Sequence, residues 1–126
     1  MRLLLDSHVV LWWLDDAEHL GPTAREAISS CDEAVMSVVT PWELGIKRSL
    51  GKLDFPVGLV EAVRGTGFEI APIRADHAEL APALPPHHRD PFDRMLVAQA
   101  QLDAMVLVTA DEQLSGYEVE LLDATS

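Results

Sequence analysis

Leu3-Leu4-Leu5-Asp6-Ser7-His8-Val9-Val10-Leu11-Trp12-Trp13-Leu14 joins a strand, an acid and a helix within one short stretch. Leu3–Leu5 is apolar without alternation, the pattern of a strand buried on both faces. Asp6 ends it, and Ser7 is placed to cap a helix running to Leu14. The unit recurs outward from there. Asp15–Gly21 reads as a turn, and Pro22 opens a helix to about Cys31, since proline suits the first helical position. Ala34–Ser37 reads as a strand and Val39–Leu50 as a helix stopped by Gly51. Pro56–Arg64 is expected to be helical, Phe68–Ile73 a strand and Ala75–Leu80 a helix. Pro82, Pro85, Pro86 and Pro91 punctuate a loop. Phe92–Asp103, apolar on most sides, reads as a central helix. Met105–Val108 reads as a strand, Asp111–Leu114 as a short helix and Val119–Leu122 as a last strand. Short apolar strands alternating with helices predict an α/β fold. The expected form is a three-layer α/β/α sandwich with a short, mostly parallel central sheet.

At 126 residues the chain is expected to form a single domain, 1–126. Hydrophobic residues make up 48% and mean hydropathy is +0.11, which excludes a disordered chain. The single cysteine, Cys31, excludes an intramolecular disulfide and a multi-cysteine zinc site. It suits a reducing cytoplasm and reads as a small buried hydrophobe. The uncharged runs Ala34–Trp42 and Leu80–His88 are far too short for a membrane span. Arg2 and Leu3–Leu5 begin like a signal peptide, but Asp6 interrupts the run, so the N-terminus is read as mature. With 9 Lys and Arg against 21 Asp and Glu, the net charge is −12, which excludes non-specific coating of nucleic acid. The positive charge is clustered, with Lys47, Arg48 and Lys52 in one group and Arg89 and Arg94 in another.

In parallel sheets, function gathers at the carboxyl ends of the strands. Asp6 follows the first strand, Thr40-Pro41-Trp42-Glu43 the second, and Thr109-Ala110-Asp111-Glu112 a later one, while Asp90-Pro91-Phe92-Asp93 opens the long helix. Each acid alone reads more readily as a helix cap than as a site residue, and Thr-x-x-Glu and Asp-x-x-Asp look like capping boxes. Capping does not require the acids to converge on one end of a sheet. Carboxylates that do converge repel one another, which raises their pKa values, unless a cation sits among them. An all-oxygen site suits Mg²⁺ or Mn²⁺, ions that activate water and stabilise a phosphoryl displacement.

The segments LLLDSHVVLWWL, SVVTPWELGIKRSLGKL, HHRDPFDRMLVAQA and LVTADEQLSGY closely resemble the PIN domain. Within it they resemble the VapC-type toxins of type II toxin–antitoxin modules. The resemblance runs from about Leu3 to Leu122 and implies a PIN-like fold. It implies a Mg²⁺- or Mn²⁺-dependent endoribonuclease, silenced by a cognate antitoxin and forming a homodimer. Position by position, it implies catalytic roles for Asp6, Glu43, Asp93 and Asp111, with Asp6 and Asp93 binding the metal. Asp90 is expected to cap its helix or support the metal from behind, and Thr109 to bond a carboxylate or the backbone.

Lys47, Arg48 and Lys52 read by default as a solvated helix face and nearly as readily as contacts to RNA phosphates, and Arg94 as a partner for an acid or an RNA phosphate. His8, His87 and His88 read as surface or substrate-edge residues rather than ligands. Trp12 or Trp13 is expected in the core or at an interface. Asp6-Ser7-His8 lacks the Asp-x-Asp of a haloacid-dehalogenase phosphatase. A receiver domain would need paired acids here and a late lysine, and no lysine follows Lys52. The Gly-rich dinucleotide fingerprint is absent. The remaining alternatives are a PIN-like RNA- or protein-binding module without cleavage and a structure-specific DNA nuclease.

Overall fold

The computed structural model describes residues 1–55 and 57–126. Five strands form one sheet: β1 (Arg2–Leu5), β2 (Glu33–Ser37), β3 (Glu69–Ala71), β4 (Val106–Thr109) and β5 (Leu121–Asp123). Every pairing is parallel, in the order β3-β2-β1-β4-β5. The helices are α1 (Ser7–Leu14), α2 (Pro22–Ser30), α3 (Val39–Ser49), α4 (Leu59–Gly65), α5 (Ala75–Ala83) and α6 (Pro91–Leu102). A short 3-10 helix, Glu112–Gly116, precedes β5.

The period of two along β1 separates the core into two faces. Leu3 and Leu5 pack with Val9 and Val10 of α1, Ala24 and Ile28 of α2, and Leu59 and Val63 of α4. Leu4 points the other way, onto Leu96 and Val97 of α6 and Ala81 of α5. The α/β/α sandwich is therefore as expected. Helix α6 is buried continuously from Leu96 to Ala100, which explains why its sequence is apolar on most sides. Its Gln99 is fully buried and spends its amide N–H₂ on the Pro72 carbonyl, 3.1 Å away.

Several boundaries move from the sequence expectation. Asp6, not Ser7, caps α1 through a 2.9 Å bond from the Val9 N–H. Helix α4 begins at Leu59, after Gly58 at φ +89°, and Pro56 lies outside the described residues. Strand β3 is shorter than Phe68–Ile73 because Pro72 has no N–H for the ladder. Helix α5 continues through Pro82 to Ala83. Strands β4 and β5 start one and two residues later than expected, and each ends one residue later. Cys31 is half-buried at the end of α2 rather than in the core. Trp13 packs on Phe68 at 5.6 Å between ring centroids and joins the core edge. Among the described residues no helix is long and apolar enough to cross a membrane.

Candidate active site

The chain builds outward from β1 through β2 to β3, then returns to place β4 on the other side of β1. The reversal opens a crevice at the carboxyl ends of β1 and β4. Asp6 sits at its base, with its own N–H bonded to the Val108 carbonyl at 3.1 Å. Its Oδ1 caps α1, and its Oδ2 accepts the Thr109 hydroxyl at 2.5 Å. Only 7% of Asp6 is exposed. Burial pushes its carboxyl above the ordinary range, and these two hydrogen bonds pull it back in part.

Glu43 reaches the crevice from α3. It is the fifth residue of that helix and 3% exposed. The Ser7 hydroxyl donates to its Oε1 at 2.6 Å, and the Lys47 ammonium donates to its Oε2 at 2.8 Å. Lys47 lies one turn along the same face, the spacing that brings i and i+4 together. That bond to Glu43 raises the Lys47 ammonium pKa, and the charges of Asp90 and Asp93 add to the rise.

Asp93 projects from the first turn of α6. Its carboxyl is pushed up to about 7, first by burial, then by the negative charge of Asp90, while His88 opposes the rise. Glu43 and Asp6 contribute further repulsion. Sequence reasoning expected raised carboxyl pKa values from mutual repulsion. For Asp6 and Asp93 the direction holds, but burial is the larger cause. Asp111 caps the 3-10 helix through the Gln113 N–H at 2.9 Å, and its Oδ2 lies 2.8 Å from His88 Nε2. The same nitrogen lies 3.3 Å from Asp93 Oδ2. Ligand atoms of His88, Asp93 and Asp111 all fall within 4.8 Å of one another.

The structure thus brings Asp6, Glu43 and Asp93 to one crevice and joins Asp111 to Asp93 through His88. Asp90 caps α6, accepting the Phe92 N–H at 2.8 Å. Thr109 bonds Asp6 and accepts the Asp111 N–H at 3.0 Å, serving carboxylate and backbone at once. Thr40 and Thr109 head no capping boxes: Thr40 lies inside α3, and Thr109 ends β4.

Two basic residues expected at phosphates are engaged elsewhere. Arg94 gives its guanidinium to the carbonyls of Pro82, Leu84, Pro85 and His88 and to the Tyr117 hydroxyl, at 2.8–3.3 Å. Arg48 lies over the Phe55 ring, 4.5 Å from its centroid. Lys52 is exposed. Sequence reasoning missed His88 and the role of Ser7. The signal for His88 was its place two residues before the cap of α6, where an imidazole reaches a backbone N–H.

The donor set fits a hard divalent cation. It is dominated by carboxylate oxygen, and the charges of Asp90, Glu43 and Asp6 raise the Asp93 carboxyl, while Lys47 pairs with Glu43. Asp6 and Glu43 each have both carboxylate oxygens held by one donor, and every such oxygen keeps a second lone pair that a cation would use.

The family model of the PIN domain matches residues 3–119. The chain is 33% identical over 122 residues to Ribonuclease VapC22 of Mycobacterium tuberculosis, covering 91% of each protein. Its fold resembles a toxin–antitoxin complex from Klebsiella pneumoniae, with TM-score 0.69, 18% identity and 97% of both chains covered. It also resembles DNA-bound VapBC from Salmonella typhimurium, with TM-score 0.70, 16% identity and 98% of both chains covered. With the crevice, its acids and these relatives in agreement, the chain belongs to the PIN-domain family.

Proposed function

We propose that this chain is a Mg²⁺- or Mn²⁺-dependent endoribonuclease, the toxin of a toxin–antitoxin pair. The observation that carries the reading is the joint burial of Asp6 and Glu43 beside Asp93 at the switch point of the sheet. Buried acids facing one another weaken the fold, so their presence calls for a role that stability alone does not supply. Asp6 and Asp93 would hold the cation, which when bound supplies a Lewis acid and a nucleophilic water for phosphodiester hydrolysis. Ser7 and Lys47 fix the Glu43 carboxylate, which orients the water. Asp111 completes the far side. Lys47 and the exposed Lys52 supply positive charge for RNA phosphates along the rim.

A cognate antitoxin as partner fits the resemblance to toxin–antitoxin complexes. A homodimer fits α3 and its flanks, where Val38, Trp42, Ile46 and Leu50 recur every four residues and are 36%, 62%, 37% and 63% exposed. We place the activity in the cytoplasm, where RNA and a single free thiol coexist.

Asp93→Asn tests the reading. The variant should keep the far-UV circular dichroism of the wild type and lose Mg²⁺-supported cleavage of a mixed RNA substrate. Cleavage at the wild-type rate would overturn it. Expression alone should arrest growth, and co-expression with the neighbouring reading frame should relieve the arrest. Failure of the two products to co-purify at moderate salt counts against the antitoxin.

A further inference from the structure

Resting on that reading of the crevice, we propose that His88 is a positioning residue: a hydrogen-bond donor of fixed tautomer that braces Asp111 and Asp93, and not a metal ligand. One histidine and two carboxylates within 4.8 Å invite the opposite view. The other ring nitrogen decides between them. His88 Nδ1 accepts the backbone N–H of Asp90 at 3.0 Å. A backbone amide only donates, so Nδ1 must present its lone pair, and a hydrogen there would face the amide head-on. The ring hydrogen therefore sits on Nε2, bonded to Asp111 Oδ2 at 2.8 Å, with Asp93 Oδ2 3.3 Å from the same nitrogen. A metal-ligating histidine shows the reverse pattern, donating from its distal nitrogen to an oxygen and leaving the proximal one bare.

The ring is also delivered rigidly. The His88 N–H donates to the Tyr117 hydroxyl at 3.0 Å, and the His88 carbonyl accepts from Arg94 at 3.1 Å. Tyr117 in turn donates to the Pro85 carbonyl at 2.8 Å. The imidazole side chain is 11% exposed, so water competes little for its N–H. Asp111 follows β4 and Asp93 stands on α6. The Nε2–H bonds Asp111 with Asp93 3.3 Å from the same nitrogen, so its positive end offsets their repulsion, and both Asp111 oxygens are then occupied, one by Gln113 and one by His88.

The test reads the tautomer directly, by long-range ¹H–¹⁵N correlation of the His88 ring in labelled protein, without and with saturating Mg²⁺. The expected pattern in both is a protonated Nε2 and a bare Nδ1. A protonated Nδ1, or loss of the Nε2 hydrogen on adding Mg²⁺, overturns the proposal. Two variants add a functional reading. His88→Gln keeps an N–H near the Nε2 position without a ligand nitrogen, whereas His88→Ala removes both. His88→Ala should lose about 10–100-fold in kcat, as removal of an outer-shell partner does, and His88→Gln should recover most of that loss with Mn²⁺ affinity near the wild-type value. If Gln is as damaging as Ala and weakens Mn²⁺ binding equally, His88 is a ligand. If Ala is harmless, the brace has no function. Wild-type protein that cleaves no RNA would sink the nuclease reading, while the ring spectra would still decide the tautomer.

Discussion

The Thr109 hydroxyl donates to Asp6 Oδ2 at 2.5 Å, joining residues 103 positions apart in the chain. It ties the end of β4 to the end of β1 at the point where the strand order reverses. Thr109→Val keeps the shape and removes the donor, leaving a buried carboxylate with one partner fewer. The expected cost is about 1–3 kcal/mol, the penalty for a buried polar group losing its bond. Urea unfolding should register it, and Thr109→Ser should recover most of it. Equal stability of all three proteins would show that the bond contributes nothing.

Glu43 depends on two donors in the same way. Lys47→Met keeps the aliphatic stem and leaves a buried carboxylate facing only Ser7. We expect a loss of about 1–3 kcal/mol, and Glu43→Gln should soften it because the amide carries no charge. A double-mutant cycle measures the coupling, and additivity within about 0.5 kcal/mol would mean that the two side chains act independently.

Asp93 makes stability depend on pH. Its carboxyl is raised from 3.8 to about 7, so between those values the folded chain binds a proton that the unfolded chain has released. That contribution is fully present below about pH 4 and is lost as pH rises through about 7. In EDTA, the melting temperature of the wild type should therefore fall more steeply over this window than that of Asp93→Asn. At about pH 8 the variant should be the more stable protein. Parallel profiles would show that Asp93 does not titrate in this range.

Arg94 holds the loop that carries His88. Lysine cannot reproduce a planar fork serving four carbonyls and a hydroxyl. Arg94→Lys should speed amide hydrogen exchange at His88 and Asp90 while leaving β1 and β2 protected. Unchanged exchange in the loop would contradict this.

The frame of the fold was legible because apolar runs such as Leu3–Leu5 and Met105–Val108 cannot face water, and acids at their carboxyl ends stand out against them. The convergence of Asp6, Glu43 and Asp93 followed from the parallel sheet. Which oxygen bonds which donor did not. Ser7 looked like a cap because capping is local, yet Asp6 takes that place and Ser7 turns to Glu43, 36 residues away. The partners of His88 and Arg94 were out of reach for the same reason. Both derive their roles from the fold of the proline-rich loop over Tyr117, a contact of 29 residues' separation that no local pattern encodes.

The central claim, that the acids of the crevice form a divalent-cation site, is tested most directly by thermal unfolding of wild type and Asp6→Asn, each in EDTA and in Mn²⁺. An ion that binds only the folded chain adds about 2.7 kcal/mol at a hundredfold excess over its dissociation constant, or roughly 2–8 °C per kcal/mol. Without metal, Asp6→Asn should melt at or above the wild-type temperature, since burial already disfavours the charge it removes. In Mn²⁺ the wild type should gain several degrees and the variant should lose most of that gain. Equal gains in both proteins, or none in the wild type, would contradict the assignment.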